Sequence, residues 1–297
     1  MANNLSIIIP TRDRCEILRQ LLDSIKRLRS LQSIQPELIV ADNDSKDKTW
    51  TMLQQAGKQF PIPFRTISVA RPGKCAAMNE AIRVSKGEVL AFLDDDVVVE
   101  PGWLEAVQSF FQDGAYPVGQ GVIRIQAPDS EDPEILRLLQ RYRTIPTLEY
   151  GPEVKEVLSL NGANIAIDRT VFDRVGNFDE RLGPGASGTS EDTEIALRIA
   201  QAGMKMGYMK EAIVCHRVDR PRLTEAYFKS VHQRQGRSRG LFKQPSTGRV
   251  LFDLARASVQ YGLYSLIGKE RKKYRNKGRL YHYLGMLEVK CNRRWKF

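Results

Sequence analysis

The sequence is short of cysteine and lacks long apolar stretches. Its 4 cysteines among 297 residues are Cys15, Cys75, Cys215 and Cys291, with no CxxC spacing. This scatter argues against a disulfide scaffold or a structural zinc site and favours reduced thiols. No apolar run approaches the ~18–20 residues that a membrane-spanning helix needs, and residues 1–4 carry no basic signal-type region. These absences predict a soluble cytoplasmic protein.

Charge of both signs is abundant but unevenly distributed. The chain is 42% hydrophobic and 27% charged, with a net charge of +11, a composition that suits one large folded domain or a domain with an appendage and excludes disorder. Residues 217–297 hold 21 Lys and Arg against 5 Asp and Glu, whereas residues 1–216 hold 25 against 30. This asymmetry predicts a basic C-terminal region with an anionic partner, either nucleic acid or a membrane surface.

The first part of the chain alternates short apolar runs with helical spacing. The predicted strands are 5–10, 37–41, 64–69, 89–93 and 118–125, and the predicted helices include 16–28, 74–85 and 191–202. Continuous apolar strands separated by helices indicate an α/β fold, with a mostly parallel central sheet and helices on both faces. Ligands of such sheets bind at the carboxyl ends of the strands.

Two common phosphate-binding loops are excluded. A P-loop would need glycine at Ser68 and Ser or Thr at Cys75, and a dinucleotide fingerprint would need glycines in residues 11–14. Acids follow the second strand, at Asp42 and Asp44, and the fourth strand, at residues 94–96.

The acids after the fourth strand are candidates for a metal site. In an extended chain Asp94 and Asp96 would share one face, with Asp95 on the other. Two neighbouring carboxylates favour a hard divalent cation between them, Mg²⁺ or Mn²⁺. The alternative is a solvated acidic turn, which is common after buried strands.

Six ordered segments resemble a known family. They are SIIIPTRD at 6–13, VADNDS at 40–45, RPGKCAAMN at 71–79, GEVLAFLDDD at 87–96, VGNFDE at 175–180 and SED at 190–192. Together they make the chain similar to family 2 inverting glycosyltransferases, which have the GT-A fold. The resemblance implies a catalytic domain over 1–216, with a donor-binding half at about 1–125 and an acceptor half at about 126–216.

The resemblance also implies the donor site. A nucleotide-diphospho-sugar, expected to be a UDP-sugar, would contact Pro10, Thr11, Arg12, Asp13, Asp42, Asp44, Arg71, Gly73, Lys74, Asn79, Asp94, Asp95, Asn161, Gly162 and Ala163. Thr11 and Asp13 would line the base pocket, and Asp42 would bond to the base. The 161–164 segment, which includes Asn164, would border the sugar, since small residues allow close backbone approach.

Catalysis and metal binding are assigned in the same way. Asp192, beside Glu191, would be the base that takes the proton of the acceptor hydroxyl. Alternatively, these acids only complement the helix dipole after a capping Ser190. Asp96 and His216 would hold Mn²⁺ or Mg²⁺, although a lone histidine is more often structural.

The family pattern is incomplete beyond residue 216. Processive members carry Gln-x-x-Arg-Trp, whereas this chain reads HQRQGR at 232–237, without tryptophan. Arg237, or Arg234, would reach the diphosphate or simply belong to a solvated basic helix. The missing motif predicts transfer of a single sugar rather than synthesis of a polymer.

The basic region 217–297 is predicted to form amphipathic helices. Two apolar segments, 250–267 and 280–289, bracket a basic cluster at 269–279. This arrangement is typical of segments that lie on an anionic membrane, and it predicts a peripheral protein on the inner face of the cell membrane with a lipid-linked or cell-surface glycan acceptor. The helices could instead pack on the catalytic domain. The rival function is a non-catalytic nucleic-acid-binding or scaffold protein that retains the fold.

Overall fold

The computed structural model describes residues 4–127, 129 and 131–291. The chain forms two compact units. The first, here called the sheet unit, contains the residues up to Gln126, Pro146–Glu180 and Glu191–Arg217. The second, the helical unit, contains Ala127–Ile145, Arg181–Ser190 and the residues from Val218 onward. The chain therefore passes between the units several times, the last time between Arg217 and Val218.

Strands and helices alternate in the first half of the sheet unit. The elements are β1 (Leu5–Thr11), α1 (Cys15–Lys26), α2 (Leu31–Ile34), β2 (Glu37–Asp42), α3 (Thr49–Gly57), β3 (Phe64–Ser68), α4 (Lys74–Val84) and β4 (Val89–Leu93). Strands β3, β2, β1 and β4 lie side by side in that order, and each neighbouring pair is parallel. Their carboxyl ends therefore meet at one edge.

The second half of the sheet unit is mixed. Its elements are β5 (Val97–Val99), α5 (Trp103–Asp113), β6 (Val118–Ile125), β7 (Glu156–Val157), β8 (Asn164–Asp168), α7 (Arg169–Val175), α8 (Glu191–Gln201) and β9 (Met206–His216). Strand β8 lies antiparallel between β4 and β6, and β9 is parallel to β6. The full order is β3-β2-β1-β4-β8-β6-β9-β5, with β7 beside β9. The α/β prediction is confirmed, and the antiparallel strands are an addition that the sequence pattern did not show.

Helices cover both faces of this sheet. Because successive strand residues point to opposite faces, Ile7 and Ile9 join one buried cluster with α1, α3 and α5. Ile8 joins a second cluster with α4, α7 and α8. Fully burying an isoleucine contributes about 1.5–3 kcal/mol. Burial on both faces explains why these strands read as continuous apolar runs.

The helical unit contains the basic part of the chain. Its elements are α6 (Pro133–Tyr142), a 3₁₀ turn (Arg220–Leu223), α9 (Glu225–Lys243), α10 (Thr247–Leu266) and α11 (Glu270–Cys291). Side chains of Asp132, Thr224 and Ser246 accept backbone N–H bonds at the starts of α6, α9 and α10, which satisfies otherwise unpaired donors.

Glycines let α9 and α11 pack in direct backbone contact. A Cβ added at Gly236 of α9 would lie 1.8 Å from the carbonyl oxygen of His282, and one at Gly285 of α11 would lie 2.1 Å from that of Gln233. Only glycine avoids these clashes. The close approach explains how a unit with few large buried side chains holds two of its helices together.

The structure also shows the state of the cysteines and the apolar content of the helices. All four cysteines are described, and each is a free thiol. Within residues 4–127, 129 and 131–291, no helix combines the length and apolar content required to cross a membrane.

Candidate functional site

The carboxyl ends of β1 and β2 form the first part of the site. Thr11 and Asp42 are paired in the parallel register, and the N–H of Asn43 donates to the carbonyl of Thr11 at 2.8 Å. The residues that leave these two strands therefore start from a common point. Three of the predicted donor-binding residues, Thr11, Asp13 and Asp42, lie there.

Asp13 connects the loops that follow β1 and β2. Its Oδ1 accepts the N–H of Lys46 at 2.6 Å and that of Asp47 at 3.4 Å, while its own N–H donates to Ser45 Oγ at 2.9 Å. Asp13 has a φ of 52°, an uncommon left-handed conformation for a residue other than glycine. Loop-to-loop bonds therefore hold Asp13 in place before any ligand binds.

Asp42 and Asp44 differ in environment although they are two residues apart. Asp42 is buried and accepts a hydrogen bond from the hydroxyl of Ser45. Burial raises the pKa of Asp42. Asp44 pairs with Lys46 at 2.7 Å, and this hydrogen bond lowers the pKa of Asp44. Asp42 is therefore the buried carboxylate that a nucleobase bound at the strand ends would contact.

Asn43 fixes the loop that leads into α4, a role that the sequence did not suggest. Its side-chain amide donates to the carbonyls of Val69 at 2.9 Å and Arg71 at 2.7 Å, and its Oδ1 accepts the N–H of Gly73 at 2.8 Å. Gly73 has a φ of 123°, which favours glycine. Asn43 therefore determines where Lys74 enters the site.

Lys74 lies between two carboxylates. Its Nζ is 2.6 Å from Asp94 Oδ1 and 3.0 Å from Glu191 Oε1. The side chains of Lys74, Asp94 and Glu191 are only 15%, 26% and 8% exposed. Burial lowers the pKa of Lys74, but the two carboxylates outweigh burial and hold it well above the ordinary value. A permanent positive charge therefore lies at the strand ends.

Asp192 lies beside this charge at the start of α8. Its Oδ2 accepts the N–H of Gly162 at 3.2 Å, and its Oδ1 accepts the N–H of Thr193 at 2.6 Å. Burial, and then the charge of Glu191, raise the pKa of Asp192 to about 6, against the lowering effect of Lys74. At neutral pH Asp192 is mostly ionised, with a proton affinity above that of an ordinary carboxylate.

The segment before β8 is held closely against this group. A Cβ at Gly162 would come within 3.2 Å of Lys74 Nζ. Asn161 donates its N–H to Gln120 at 2.6 Å, and its Oδ1 accepts the N–H of Ala163 at 3.2 Å. The side chains of Asn161 and Gln120 thereby fix the backbone of the loop, and Gln120 is a second residue that the sequence analysis missed.

Asn164 has a structural role. It is fully buried, donates to the carbonyls of Val122 at 2.9 Å and Ala212 at 2.8 Å, and accepts a bond from the indole of Trp103 at 2.9 Å. These bonds join β8 to β6, β9 and α5. Because they satisfy the whole side-chain amide, Asn164 acts as a core residue behind the loop.

The three acids after β4 bond to three different partners. The strand ends at Leu93 and residues 95 and 96 form a turn, so the alternation assumed for an extended chain does not hold. Asp94 binds Lys74, Asp95 Oδ2 accepts the hydroxyl of Thr11 at 2.7 Å, and Asp96 approaches His216. Burial, and then the charge of Asp96, raise the pKa of Asp95 to about 7.

Asp96 and His216 form a buried pair. His216 is the last residue of β9, is 1% exposed, and places Nε2 3.3 Å from Asp96 Oδ1. Its Nδ1 lies 2.9 Å from the carbonyl of Arg217. A carbonyl can only accept, so Nδ1 carries the hydrogen and the other ring nitrogen faces Asp96. Among the residues that the structure describes, no group of three or more His, Cys, Asp or Glu side chains forms a metal site.

Two more predicted residues, Arg71 and Asn79, converge on Glu180. Arg71 Nη2 lies 2.8 Å from Glu180 Oε1, and Asn79 Nδ2 lies 3.0 Å from the same oxygen. Asn79 also exchanges two hydrogen bonds with the backbone of Phe178. Asn79 therefore anchors the loop after α7, and Glu180 is a third residue that the sequence analysis gave no role.

The remaining predicted donor contacts have local partners. Pro10 is buried within β1, opposite Ala41. Arg12 is exposed and lies 3.6 Å from Asp13. Arg237 belongs to the helical unit, where its Nη1 pairs with Glu288 at 2.8 Å. Their roles toward a donor remain predictions.

The fold and the site define a class. A parallel β3-β2-β1-β4 sheet followed by antiparallel β8, with acids at the strand ends, is the GT-A fold of nucleotide-sugar-dependent transferases, which structural neighbours share. The glycosyl transferase family 2 model matches residues 6–176. The chain belongs to this family, as its six ordered segments predict.

Relatives with known names are distant. The chain is 23% identical to glycosyltransferase AglE of Haloferax volcanii over 71% of this chain and 66% of that protein. It is 26% identical to the O-antigen biosynthesis protein RfbC of Myxococcus xanthus over 74% of this chain and 18% of that protein. It is also 26% identical to the pre-mycofactocin glycosyltransferase of Mycobacterium tuberculosis, over 72% and 42%. The matches thus span less than two thirds of each relative.

Solved structures share the fold at low identity. The mannosyltransferase PcManGT of Pyrobaculum calidifontis, in complex with GDP-Man and Mn²⁺, has a TM-score of 0.59 at 17% identity, over 98% of this chain and 76% of that chain. GalNAc-T7 with UDP, GalNAc and Mn²⁺ has a TM-score of 0.62 at 17% identity, over 92% and 54%. TarS 1-349 of S. aureus with UDP-GlcNAc has a TM-score of 0.58 at 14% identity, over 97% and 92%.

Proposed function

We propose that this protein is a metal-dependent inverting glycosyltransferase that moves one sugar from a UDP-sugar to an acceptor hydroxyl. The observation that carries the proposal is the largely buried cluster of Lys74, Asp94, Glu191 and Asp192 at the strand ends, in which Glu191 is the most buried member. Burying several charges lowers the stability of the fold because the charges lose their hydration. Such clusters are therefore often found where they perform chemistry or bind a ligand. Family membership identifies the chemistry as glycosyl transfer.

The donor base would occupy the space around Asp13 and Asp42. A uracil ring offers one N–H to a carboxylate, and buried Asp42 is the acceptor available at the end of β2. Arg71 and Lys74 supply positive charge for the ribose and diphosphate. Complexes of two fold neighbours with UDP or UDP-GlcNAc support a uridine donor.

The residues at the ends of β4 and β9 suit a divalent cation. Asp96 offers a carboxylate oxygen, and the orientation of His216 imposed by Arg217 leaves Nε2 toward it. A mixed oxygen and imidazole set suits Mn²⁺ and accepts Mg²⁺ less well. With only two such side chains, diphosphate oxygens and water would complete the shell. Bound there, the cation supplies charge that offsets the departing diphosphate.

Asp192 would act as the general base. The acceptor oxygen attacks the anomeric carbon as its proton passes to the Asp192 carboxylate, and the bond from that carbon to the diphosphate oxygen breaks. Attack opposite the leaving group inverts the configuration. A pKa of about 6 gives Asp192 the higher proton affinity that a base requires while leaving it ionised at neutral pH.

Glu191 and Lys74 would position this base. Glu191 points to Lys74 at 3.0 Å, while Asp192 bonds to the N–H of Gly162 at 3.2 Å. The paired acids thus have separate tasks. Glu191 holds the lysine that faces the diphosphate, and Asp192 faces the acceptor.

The acceptor would be a lipid-linked or cell-surface glycan, and the helical unit would associate with an anionic membrane on its cytoplasmic side. Five apolar residues of α10 and the residue that ends it are 50–88% exposed: Leu251, Phe252, Val259, Leu263, Leu266 and Ile267. Basic residues 269 and 271–273 follow directly. An apolar stripe beside positive charge matches an anionic lipid surface, to which each basic residue contributes about 1 kcal/mol.

Vesicle sedimentation tests this association. Replacing Val259 and Leu263 by Asp should abolish binding to phosphatidylglycerol vesicles. The matched control, Ser258→Asp with Ser265→Asp, adds the same charge on another face of α10 and should retain most of the binding. Equal binding by both variants, or a random-DNA gel shift in place of vesicle binding, contradicts the membrane assignment.

Thermal-shift screening tests the donor proposal. UDP-sugars with Mn²⁺ should raise the melting temperature more than UDP-sugars with EDTA, and Asp96→Ala should remove the metal-dependent part of the rise. The variant Arg83→Gln serves as the control, since this exposed side chain pairs with Glu80 one turn earlier on the same helix. A panel in which no nucleotide-sugar stabilises the wild-type protein refutes the donor site.

A further inference from the structure

The helical unit contains a cleft lined by arginine. The cleft has a volume of about 630 Å³ and is lined by Arg137, Gln140, Arg141, Arg143, Glu270, Arg271 and Tyr274. Three lining residues, at 137, 140 and 141, come from α6, and Arg143 follows that helix directly. The other three belong to the first turns of α11. None of these residues has a role in the proposed glycosyl transfer.

Most of the positive charge in this cleft is not neutralised by the protein. Among the described residues that line the cleft, the one acid is Glu270. Its carboxylate lies 3.6 Å from Arg141 and 3.5 Å from Lys273. Within the part of the chain that the structure describes, the guanidinium groups of Arg137, Arg143 and Arg271 have no ion pair or hydrogen bond. Three unpaired positive charges around one cavity repel one another, and a bound anion would offset this repulsion.

The floor of the cleft is rigid. The Tyr274 ring packs edge-on against Tyr142 at 5.7 Å and Phe228 at 5.7 Å, and the guanidinium of Arg141 lies over it at 5.6 Å. Arg143 ends α6 in the left-handed conformation, with a φ of 52°. The arginines therefore start from a fixed scaffold rather than from a mobile loop.

The geometry points to a binding site for a phosphate or diphosphate group. Guanidinium groups bind phosphate oxygens in pairs, which a lysine cannot do. The start of the long helix α11 adds the positive end of a helix dipole. A cavity of this size holds more than one phosphate, so the phosphate would be carried by a larger molecule, either a soluble phosphorylated saccharide or the headgroup of a lipid.

Calorimetry with inorganic pyrophosphate in EDTA tests the site. The triple variant Arg137→Gln/Arg143→Gln/Arg271→Gln should weaken binding at least tenfold. The control Arg256→Gln/Arg275→Gln/Arg279→Gln removes the same charge elsewhere in the helical unit and should change binding less than twofold. All three proteins keep the same strand-end site, so the difference between variants reports on the cleft alone.

Two results would overturn the proposal. Equal losses in the two triple variants would indicate a diffuse charge effect, and an unchanged affinity in the cleft variant would exclude the cleft. If the triple variant unfolds, Arg143→Gln alone, at an exposed position, should still weaken binding at least threefold, and no change there would also refute the site.

A second arm identifies the source of the phosphate. Vesicles containing phosphatidic acid present a phosphate on a lipid, whereas glucose 1-phosphate presents it in solution. If Arg137→Gln/Arg143→Gln, a cleft variant that keeps Arg271 of the basic cluster at 269–279, loses binding to these vesicles but not to phosphatidylglycerol vesicles, the headgroup is the ligand. If it loses only the sugar phosphate, the ligand is soluble. Loss of neither, with both bound normally, contradicts the proposal.

Discussion

The two units of this protein use charge in opposite ways. In the sheet unit, the ammonium of Lys74 lies within 3.0 Å of carboxylate oxygens of Asp94 and Glu191, and the three side chains are largely buried. In the helical unit the charges are mostly exposed, as in Arg249, which is 66% exposed beside Asp253. Buried charge is costly and is retained where it performs chemistry, whereas exposed positive charge attracts partners at little cost to stability. Under the proposed function, the sheet unit would perform catalysis and the helical unit would recognise anionic partners.

The largest effect should follow from changing the proposed base. Asp192→Asn keeps the shape and the bond from Gly162 but cannot accept a proton, so kcat for sugar transfer should fall about 10³-fold. Donor affinity should change little, since the proposed role of Asp192 is toward the acceptor. Steady-state transfer of a labelled sugar, with calorimetry of UDP binding, measures both. Arg249→Gln in the helical unit is the control, and a similar loss there would erase the contrast between the units.

Removing the buried lysine should cost the most stability. Lys74→Gln leaves Asp94 and Glu191 without their shared partner, which should destabilise the fold by about 3 kcal/mol. Chemical denaturation measures this change. Arg83→Gln, which breaks an exposed pair with Glu80, should cost less than about 0.5 kcal/mol. Equal costs would show that the strand-end charges are not energetically special.

The helical unit should be more sensitive to added volume than to lost charge. Gly236→Ala places a methyl group on the carbonyl oxygen of His282 and should destabilise by about 1–3 kcal/mol. Gly262→Ala, at a position of α10 with open space, should instead stabilise by about 0.5–1 kcal/mol. Melting temperatures of the two variants check the pair. A tolerated alanine at 236 would contradict close packing of α9 on α11.

The pH dependence of transfer should report Asp192. The proposed base works only when ionised, and its pKa in the free protein is about 6, so kcat/KM should fall about tenfold per pH unit below that value. Lys74 lowers the pKa of Asp192, and Lys74→Gln should therefore move this limb to higher pH. A limb near pH 4 in the wild-type protein would exclude Asp192 as the titrating group.

The last effect concerns how the ionisation of Asp192 changes the stability of the fold. Because the folded pKa of Asp192 lies above 3.8, ionised Asp192 destabilises the fold, and wild-type stability is lost as pH rises through the interval from 3.8 to about 6. Asp192→Asn should thus raise the melting temperature at pH 8, with the gain vanishing near pH 4. A gain independent of pH would point to packing instead.

The sheet unit was more predictable than the helical unit for physical reasons. Apolar strands buried on both faces give continuous runs that are visible without a structure, and polar residues after them must lie at one edge. Thr11, Asp42 and Asp94 could be placed in this way. In the helical unit, α9 and α11 pack through glycine contacts such as Gly236 against His282. Glycine contacts add no periodic apolar residues to the sequence, so a sequence pattern does not reveal them.

The hydrogen-bond and ion-pair partners of the site residues could not be predicted from the sequence. The turn after Leu93 separates the bonding of Asp94, Asp95 and Asp96, and no local pattern shows where a chain leaves the extended conformation. Asn43, Gln120 and Glu180 hold loops through contacts distant in sequence. Such roles depend on the tertiary fold, so only a structure reveals them.

Manganese binding in the presence of UDP tests the central claim most directly. The account predicts that the wild-type protein binds one Mn²⁺ with UDP present, as followed by electron paramagnetic resonance, and that Asp96→Ala and His216→Ala each weaken this binding at least tenfold. Manganese affinity that is equal in all three proteins would contradict the account.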